Sequence, residues 1–144
     1  MKKPVLLVDD EVNILNSFRR TLRSHVDIDL ANSGEQALEL ISKKQYAVIV
    51  SDMQMPVMNG LQLLQAVKEK SPDTVRMMFT GNADQQTAVD AVNLGDVFRF
   101  INKPCTPEQL LGFINAAIRQ YELIVAEKVL LHKTLKDDSH ALRE

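Results

Sequence analysis

Pro4-Val-Leu-Leu-Val-Asp-Asp-Glu11 decides the fold. Five residues able to lie in a strand buried on both faces run straight into three acids, and Val12, Leu15, Phe18 and Leu22 then recur at helical spacing. The same strand-then-helix unit follows along the chain. Val26-Asp-Ile-Asp-Leu30 alternates as a half-buried strand does. Ser33-Gly-Glu-Gln36 opens a helix with a capping-box pattern, and Ala37, Leu38 and Ile41 form its apolar face. Tyr46-Ala-Val-Ile-Val50 is rich in β-branched residues and suits a central strand covered on both sides. Beyond a loop through Pro56 and Gly60, Leu61, Leu64 and Val67 make a third helix. Residues 74–80 read as a strand, 83–94 as a helix ending at Gly95, and 97–101 as a fifth strand. From Pro107 the pattern is one long helix.

Five such units in order predict a doubly wound α/β fold, a parallel sheet with helices on both faces, because each right-handed crossover carries its helix back over the sheet. Ligands of such sheets bind beyond the carboxyl ends of the strands. The residues at those ends are Asp9-Asp10-Glu11, Ser51-Asp52, Thr80-Gly81 and Asn102-Lys103-Pro104. Acids, a hydroxyl and an ammonium, far apart in sequence, are thus expected along one edge.

Composition removes several function classes. With 17 Lys and Arg against 19 Asp and Glu, the chain lacks the basic surface of a nucleic-acid binder. Its apolar runs are far shorter than the ~20 residues of a membrane span. Met1-Lys2-Lys3 leads into five apolar residues, too few for the h-region of a signal peptide. A single Cys excludes an internal disulfide, so the expectation is one soluble, cytoplasmic domain.

Taken singly, an Asp after a strand caps the following helix. Three carboxylates on one edge repel one another and call for a counter-charge, a metal and a lysine. Mg²⁺ suits them, since it takes one or two carboxylates with backbone oxygen and water and leaves positions for phosphate oxygens. Three carboxylates, Mg²⁺ and Lys103 sum to zero charge.

Asp9-Asp10-Glu11, Asp52-Met-Gln-Met-Pro56 with Gly60, Thr80-Gly81 and Lys103-Pro104, at these intervals, resemble the receiver domain of two-component response regulators. The resemblance covers residues 3 to about 121 and implies a flavodoxin-like sheet of strand order 2-1-3-4-5. It implies a phosphoacceptor that assists its own phosphorylation and dephosphorylation rather than an enzyme acting on other substrates. Asp52 is then the acceptor, receiving the phosphoryl group from a phosphohistidine of a sensor histidine kinase or phosphotransfer protein. Similarity further implies that Asp10, Asp52 and the backbone carbonyl of Gln54 ligate Mg²⁺, that Asp9 acts through water, and that Thr80 and Lys103 bind phosphoryl oxygens. Gln54 and Asn82 correspond to positions that tune water access and hence lifetime. Phe100 matches the switch aromatic that turns inward as Thr80 moves, with Phe98 as the permanent core member. The surface that changes is the helix over 83–94, the fifth strand and the helix from Pro107, where Asp84, Asp90, Asp96 and Arg99 are the charged residues. The family also carries a cis peptide between Lys103 and Pro104.

The physics agrees with these roles. Phosphoryl transfer passes through a loose transition state with its charge on the equatorial oxygens, so positioning and cations supply most of the catalysis. Rival readings fare worse. A haloacid-dehalogenase-type phosphatase wants an acid where Gln54 stands, and a flavodoxin-like nucleotide binder wants a glycine-rich loop where Asp9-Asp10-Glu11 stands. The alternative is a pseudo-receiver, an interaction module independent of phosphorylation, and the complete set Asp9, Asp10, Asp52, Thr80 and Lys103 argues against it. Cys105 reads as a small packed residue, and His25, His132 and His140 share no metal-ligand spacing. Met53, Met55 and Met58 read as packing around the acceptor.

Residues 122–144 exceed a minimal receiver. Ile114, Ala117, Tyr121, Ile124, Lys128, Leu131 and Leu135 recur every three or four residues. A helix over 107–135 is roughly 43 Å long, against ~30 Å for a small domain, so its last turns protrude. Either they fray, or a partner helix covers them, as in a homodimer. The expectation is a signalling helix leading to a covalently linked output domain absent from this chain. Phe98-Arg-Phe-Ile-Asn-Lys-Pro-Cys105 and Leu130-Leu-His-Lys-Thr-Leu135 are similar to receivers that precede HD-type phosphohydrolase domains.

Overall fold

The computed structural model describes residues 2–81 and 96–142, with side chains to residue 135. Five strands, β1 (Pro4–Val8), β2 (Asp27–Ala31), β3 (Val48–Asp52), β4 (Val75–Thr80) and β5 (Arg99–Asn102), form one parallel sheet in the order β2-β1-β3-β4-β5. Helices α1 (Val12–Leu22), α2 (Gly34–Lys43), α3 (Gly60–Lys70) and the C-terminal helix (Pro107–Leu142) complete the described elements. The expected helix over 83–94, with Asn82, Asp84, Asp90 and Gly95, lies outside the described residues.

The period of two in β1 explains the two layers. Val5 and Leu7 face one side of the sheet and Leu6 and Val8 the other, and all four are buried. On the first side Val48, Val50, Met77, Phe79 and Ile101 meet Leu15 and Leu22 of α1 and Leu110, Ile114 and Ala117 of the C-terminal helix. On the second, Ile49 and Met78 meet Ala37 and Ile41 of α2 and Leu63, Leu64 and Val67 of α3. Each of these fully buried aliphatic side chains contributes roughly 1.5–3 kcal/mol relative to exposure.

Caps fix where three helices begin. Ser33 Oγ accepts from Gln36 N–H at 3.1 Å, while Gln36 Oε1 accepts from Asn32 N–H at 2.7 Å, one residue earlier than a capping box requires. Asn59 and Gln62 form the full reciprocal box at α3. Thr106 and Gln109 form another at the C-terminal helix, which the sequence reading did not anticipate.

Two expectations are corrected. β3 extends through Asp52 rather than ending at Val50, because β4 still offers backbone partners there: Asp52 pairs with Phe79, and Met53 N–H reaches the Phe79 carbonyl at 3.2 Å. Phe98 is 41% exposed and is no permanent core member. It precedes the ladder of the edge strand β5, and Phe100, half-buried against the α2 and α3 side, is the residue that packs.

The C-terminal helix packs beside α1 and over β3 and β4. Tyr121 and Ile124 are its last residues held against the core, and Lys128 pairs with Asp73 of the α3–β4 loop at 3.0 Å. Lys128 therefore closes the packed stripe from its own side. Leu123, Val129, Leu130, Leu131 and Leu135 are 58–65% exposed. Among the described residues no helix is long and apolar enough to cross a membrane.

Candidate functional site

The parallel register brings the strand ends together. Val8 pairs with Ser51, Asp52 with Phe79, and Thr80 with Asn102, so Asp9, Asp52, Thr80 and Lys103 emerge along one edge from four adjacent strands. One carboxylate oxygen from each of Asp9, Asp10 and Asp52 lies within 4.8 Å of the others. Asp9, Asp52 and Thr80 are buried, and Asp10 faces solvent. Lys103 follows β5 through a backbone bond from its N–H to the Thr80 carbonyl, 3.0 Å, and its peptide to Pro104 is cis.

Asp9 is not a side-chain cap in the ordinary sense. Its Oδ1 accepts from the N–H of Glu11, the N-cap residue of α1, at 2.9 Å, and the Glu11 side chain makes no cap bond. Burial is the chief cause that pushes its carboxyl up to about 6; Asp52 and Asp10 add to the rise, and the Glu11 N–H and Lys103 oppose it. Around Lys103, partial burial works against the charge, but contact with Asp52 and the fields of Asp9 and Glu11 prevail, and the ammonium is held above the ordinary lysine range.

Asp52 Oδ1 is buried, and its neighbour is the Lys103 ammonium, 2.5 Å away as an ion pair. Three converging carboxylates thus face one lysine, whose ammonium lies against the buried Asp52. A donor set made only of oxygen suits a hard divalent cation, and these residues can hold one.

The loop after β3 is shaped by close approach. A Cβ on Gly60 would stand 2.3 Å from the Asp52 carbonyl oxygen, so only glycine lets α3 start against the end of β3. Val57 is 94% exposed with φ 69°, a conformation that strains a β-branched residue. Met53 and Met55 are buried beneath the loop and Met58 is half-buried, as expected of packing around the site. Gln54 is exposed. On the opposite flank a cleft of about 500 Å³ opens beside Asp9 and Lys103, walled by Ile14, Phe18, Phe79 and Pro104. Phe18 and Phe79 stack there with centroids 5.6 Å apart. Cys105 lines the same cleft, half-buried, and burial pushes its thiol up, away from the thiolate of a nucleophile.

Asp9, Asp10, Asp52, Thr80 and Lys103 are therefore brought to one edge; Phe100 lies on β5, and Asn82 lies outside the described residues. Asn102 stood among the strand-end residues but was given no role, and here it stands opposite Thr80 and accepts its hydroxyl. Its signal was position alone, immediately before Lys103 and opposite Thr80.

A parallel sheet of this order with an acidic edge and one lysine defines a receiver. The family model of the response regulator receiver domain matches residues 5–115, and the chain belongs to that family. The hydrogenase transcriptional regulatory protein HoxA of Cupriavidus necator is 31% identical over 114 residues, 79% of this chain and 24% of HoxA. The chain spans about a quarter of the length of the first curated relatives it matches. Among solved structures, one described as adenylate cyclase from Rhodopirellula baltica is 42% identical with a TM-score of 0.90, covering 92% of this chain and 99% of that one. The signal receiver domain of an HD domain-containing protein from Pseudomonas fluorescens is 26% identical with a TM-score of 0.79, covering 87% and 93%.

Proposed function

We propose that Asp52 accepts a phosphoryl group from the phosphohistidine of a sensor histidine kinase or phosphotransfer protein, at a site that binds Mg²⁺. One observation carries this reading: the Asp9, Asp10 and Asp52 oxygens within 4.8 Å, with Lys103 against Asp52. Asp9, Asp10, Asp52 and the Gln54 carbonyl would hold the metal. When bound, Mg²⁺ supplies positive charge to the transferring phosphoryl oxygens.

The remaining chemistry belongs to the chain. An Asp52 carboxylate oxygen forms the new O–P bond while the donor's P–N bond breaks and its imidazole leaves with the electron pair. Lys103 meets charge on an equatorial oxygen, and the Thr80 hydroxyl donates to another. No general base is required, since the nucleophile carries no proton. Gln54 and Asn82 control water access and so the lifetime of the acyl phosphate. As Thr80 moves, Phe100 turns inward and alters the surface of β5, the C-terminal helix and residues 83–94.

The C-terminal helix carries this change to a linked output domain. Likeness to the receiver of an HD domain-containing protein supports an HD-type phosphohydrolase in that place. The exposed leucines past Lys128 suit a covering partner, a second copy of the chain included. The setting is cytoplasmic.

Incubation with Mg²⁺ and a small phosphodonor, followed by intact mass, tests the assignment. One phosphoryl group is expected on the wild type and none on Asp52→Ala. Undiminished labelling of Asp52→Ala, or labelling indifferent to chelation of the metal, would overturn it.

A further inference from the structure

Thr80 closes β4 and is 2% exposed; directly across the ladder stands Asn102, the last residue of β5. The Thr80 hydroxyl donates to Asn102 Oδ1 at 3.4 Å, a long bond. The backbones on either side are tied by Lys103 N–H to the Thr80 carbonyl, so the amide group of Asn102 is delivered to this place by the sheet itself. Because β4 lies between β3 and β5, a hydroxyl turned toward Asn102 is turned away from Asp52.

We propose that Asn102 is a positioning residue that holds the Thr80 hydroxyl in its resting direction and so sets how readily a phosphoryl group at Asp52 captures it. The inference rests on the phosphoacceptor reading above. A hydroxyl has one proton and donates to Asn102 or to a phosphoryl oxygen, not to both. The anionic oxygen is the stronger acceptor, roughly twice as strong as a neutral amide oxygen. The exchange therefore runs toward the phosphorylated state, opposed by the one bond that Asn102 supplies. A long bond to a neutral partner holds the switch without locking it. Removing that acceptor leaves the hydroxyl of a buried threonine little water to turn to, and the resting direction loses its advantage.

The test uses the 144-residue chain with Mg²⁺ and beryllium fluoride as a phosphoryl mimic, titrated by calorimetry into the wild type, Asn102→Ala, Thr80→Ala and the double variant. Asn102→Ala is expected to bind about three- to tenfold tighter, the share of one neutral hydrogen bond. In the Thr80→Ala background the same substitution is expected to change affinity by less than about twofold, since the partner is gone. Affinity of Asn102→Ala equal to or weaker than that of the wild type overturns the proposal, as does a gain that persists without the Thr80 hydroxyl. A wild type that neither binds the mimic nor takes a phosphoryl label overturns the phosphoacceptor reading, and this inference with it. That outcome is distinct from a wild type that binds and a variant that merely matches it.

Discussion

Two acidic clusters sit on this sheet and are treated in opposite ways. Toward the amino ends of the strands, Asp27 and Asp29 share Lys44, each at 3.0 Å, and Asp29 also accepts the Tyr46 hydroxyl at 2.6 Å. Lys44 lies 5.5 Å from the centre of the Tyr46 ring. At the carboxyl ends three carboxylates, Asp9, Asp10 and Asp52, converge, and one lysine, Lys103, pairs with Asp52. The first cluster is satisfied by its own chain. The second leaves three carboxylates that could hold a metal ion, and that difference, rather than the number of acids, separates the two clusters.

The contrast breaks most sharply at the lysines. Lys103→Ala should lower the rate of phosphoryl acceptance by about 10²–10³, the usual effect of removing one preorganised donor at developing charge. Labelling kinetics with a small phosphodonor measure it, and Lys44→Ala should leave the rate within about twofold of wild type.

Stability gives the next effect. Tyr46→Phe removes a hydroxyl from a fully buried ring that bonds a carboxylate and should cost about 1.5–3 kcal/mol in denaturant unfolding. Phosphoryl acceptance should not change.

Asp9→Asn has the opposite sign. It relieves repulsion among the three carboxylates and the burial of a charge, and should stabilise the metal-free protein by about 1 kcal/mol while weakening Mg²⁺ binding. Thermal melts with and without Mg²⁺ separate the two, and a destabilised metal-free variant would contradict the description of the site as electrostatically incomplete.

The smallest expected effect is in acid. Burial raises the Asp29 carboxyl, but the Tyr46 and Lys44 bonds and the fields of Lys44 and Arg19 outweigh it, and the net direction is downward. A folded-state value below the unfolded one contributes stability that is full above the ordinary carboxylate range and is lost as pH falls through the depressed value. Asp29→Asn should therefore flatten the acid limb of the stability profile relative to wild type and leave the profile around neutrality parallel, with the alkaline limb changed through Lys44 and Tyr46.

The carboxyl edge was legible because parallel topology collects strand ends whatever the chain does between them, and Asp9, Asp52, Thr80 and Lys103 each stand at such an end. A parallel sheet with helices on both faces followed from period and crossover rules, whereas its strand order came only with the resemblance to receiver domains. Less was readable where a neighbour decides. Phe98 has the spacing of a core residue, but its exposure depends on where the β5 ladder begins. The bond from Thr80 to Asn102 depends on register between strands 22 residues apart, and the Lys128–Asp73 pair on 55 residues of separation. Lys128 interrupts an apolar stripe in the sequence; only the fold shows that an acid waits opposite it.

That pair also gives the long helix a mechanical character. Measured from Lys128, the helix has about 32 Å on the side of Pro107, beside the acidic edge, and about 21 Å on the far side at Leu142. Packing holds the near arm from Leu110 to Ile124, so the far arm is a cantilever, and any tilt of the packed part grows along its length into sideways travel at Leu142.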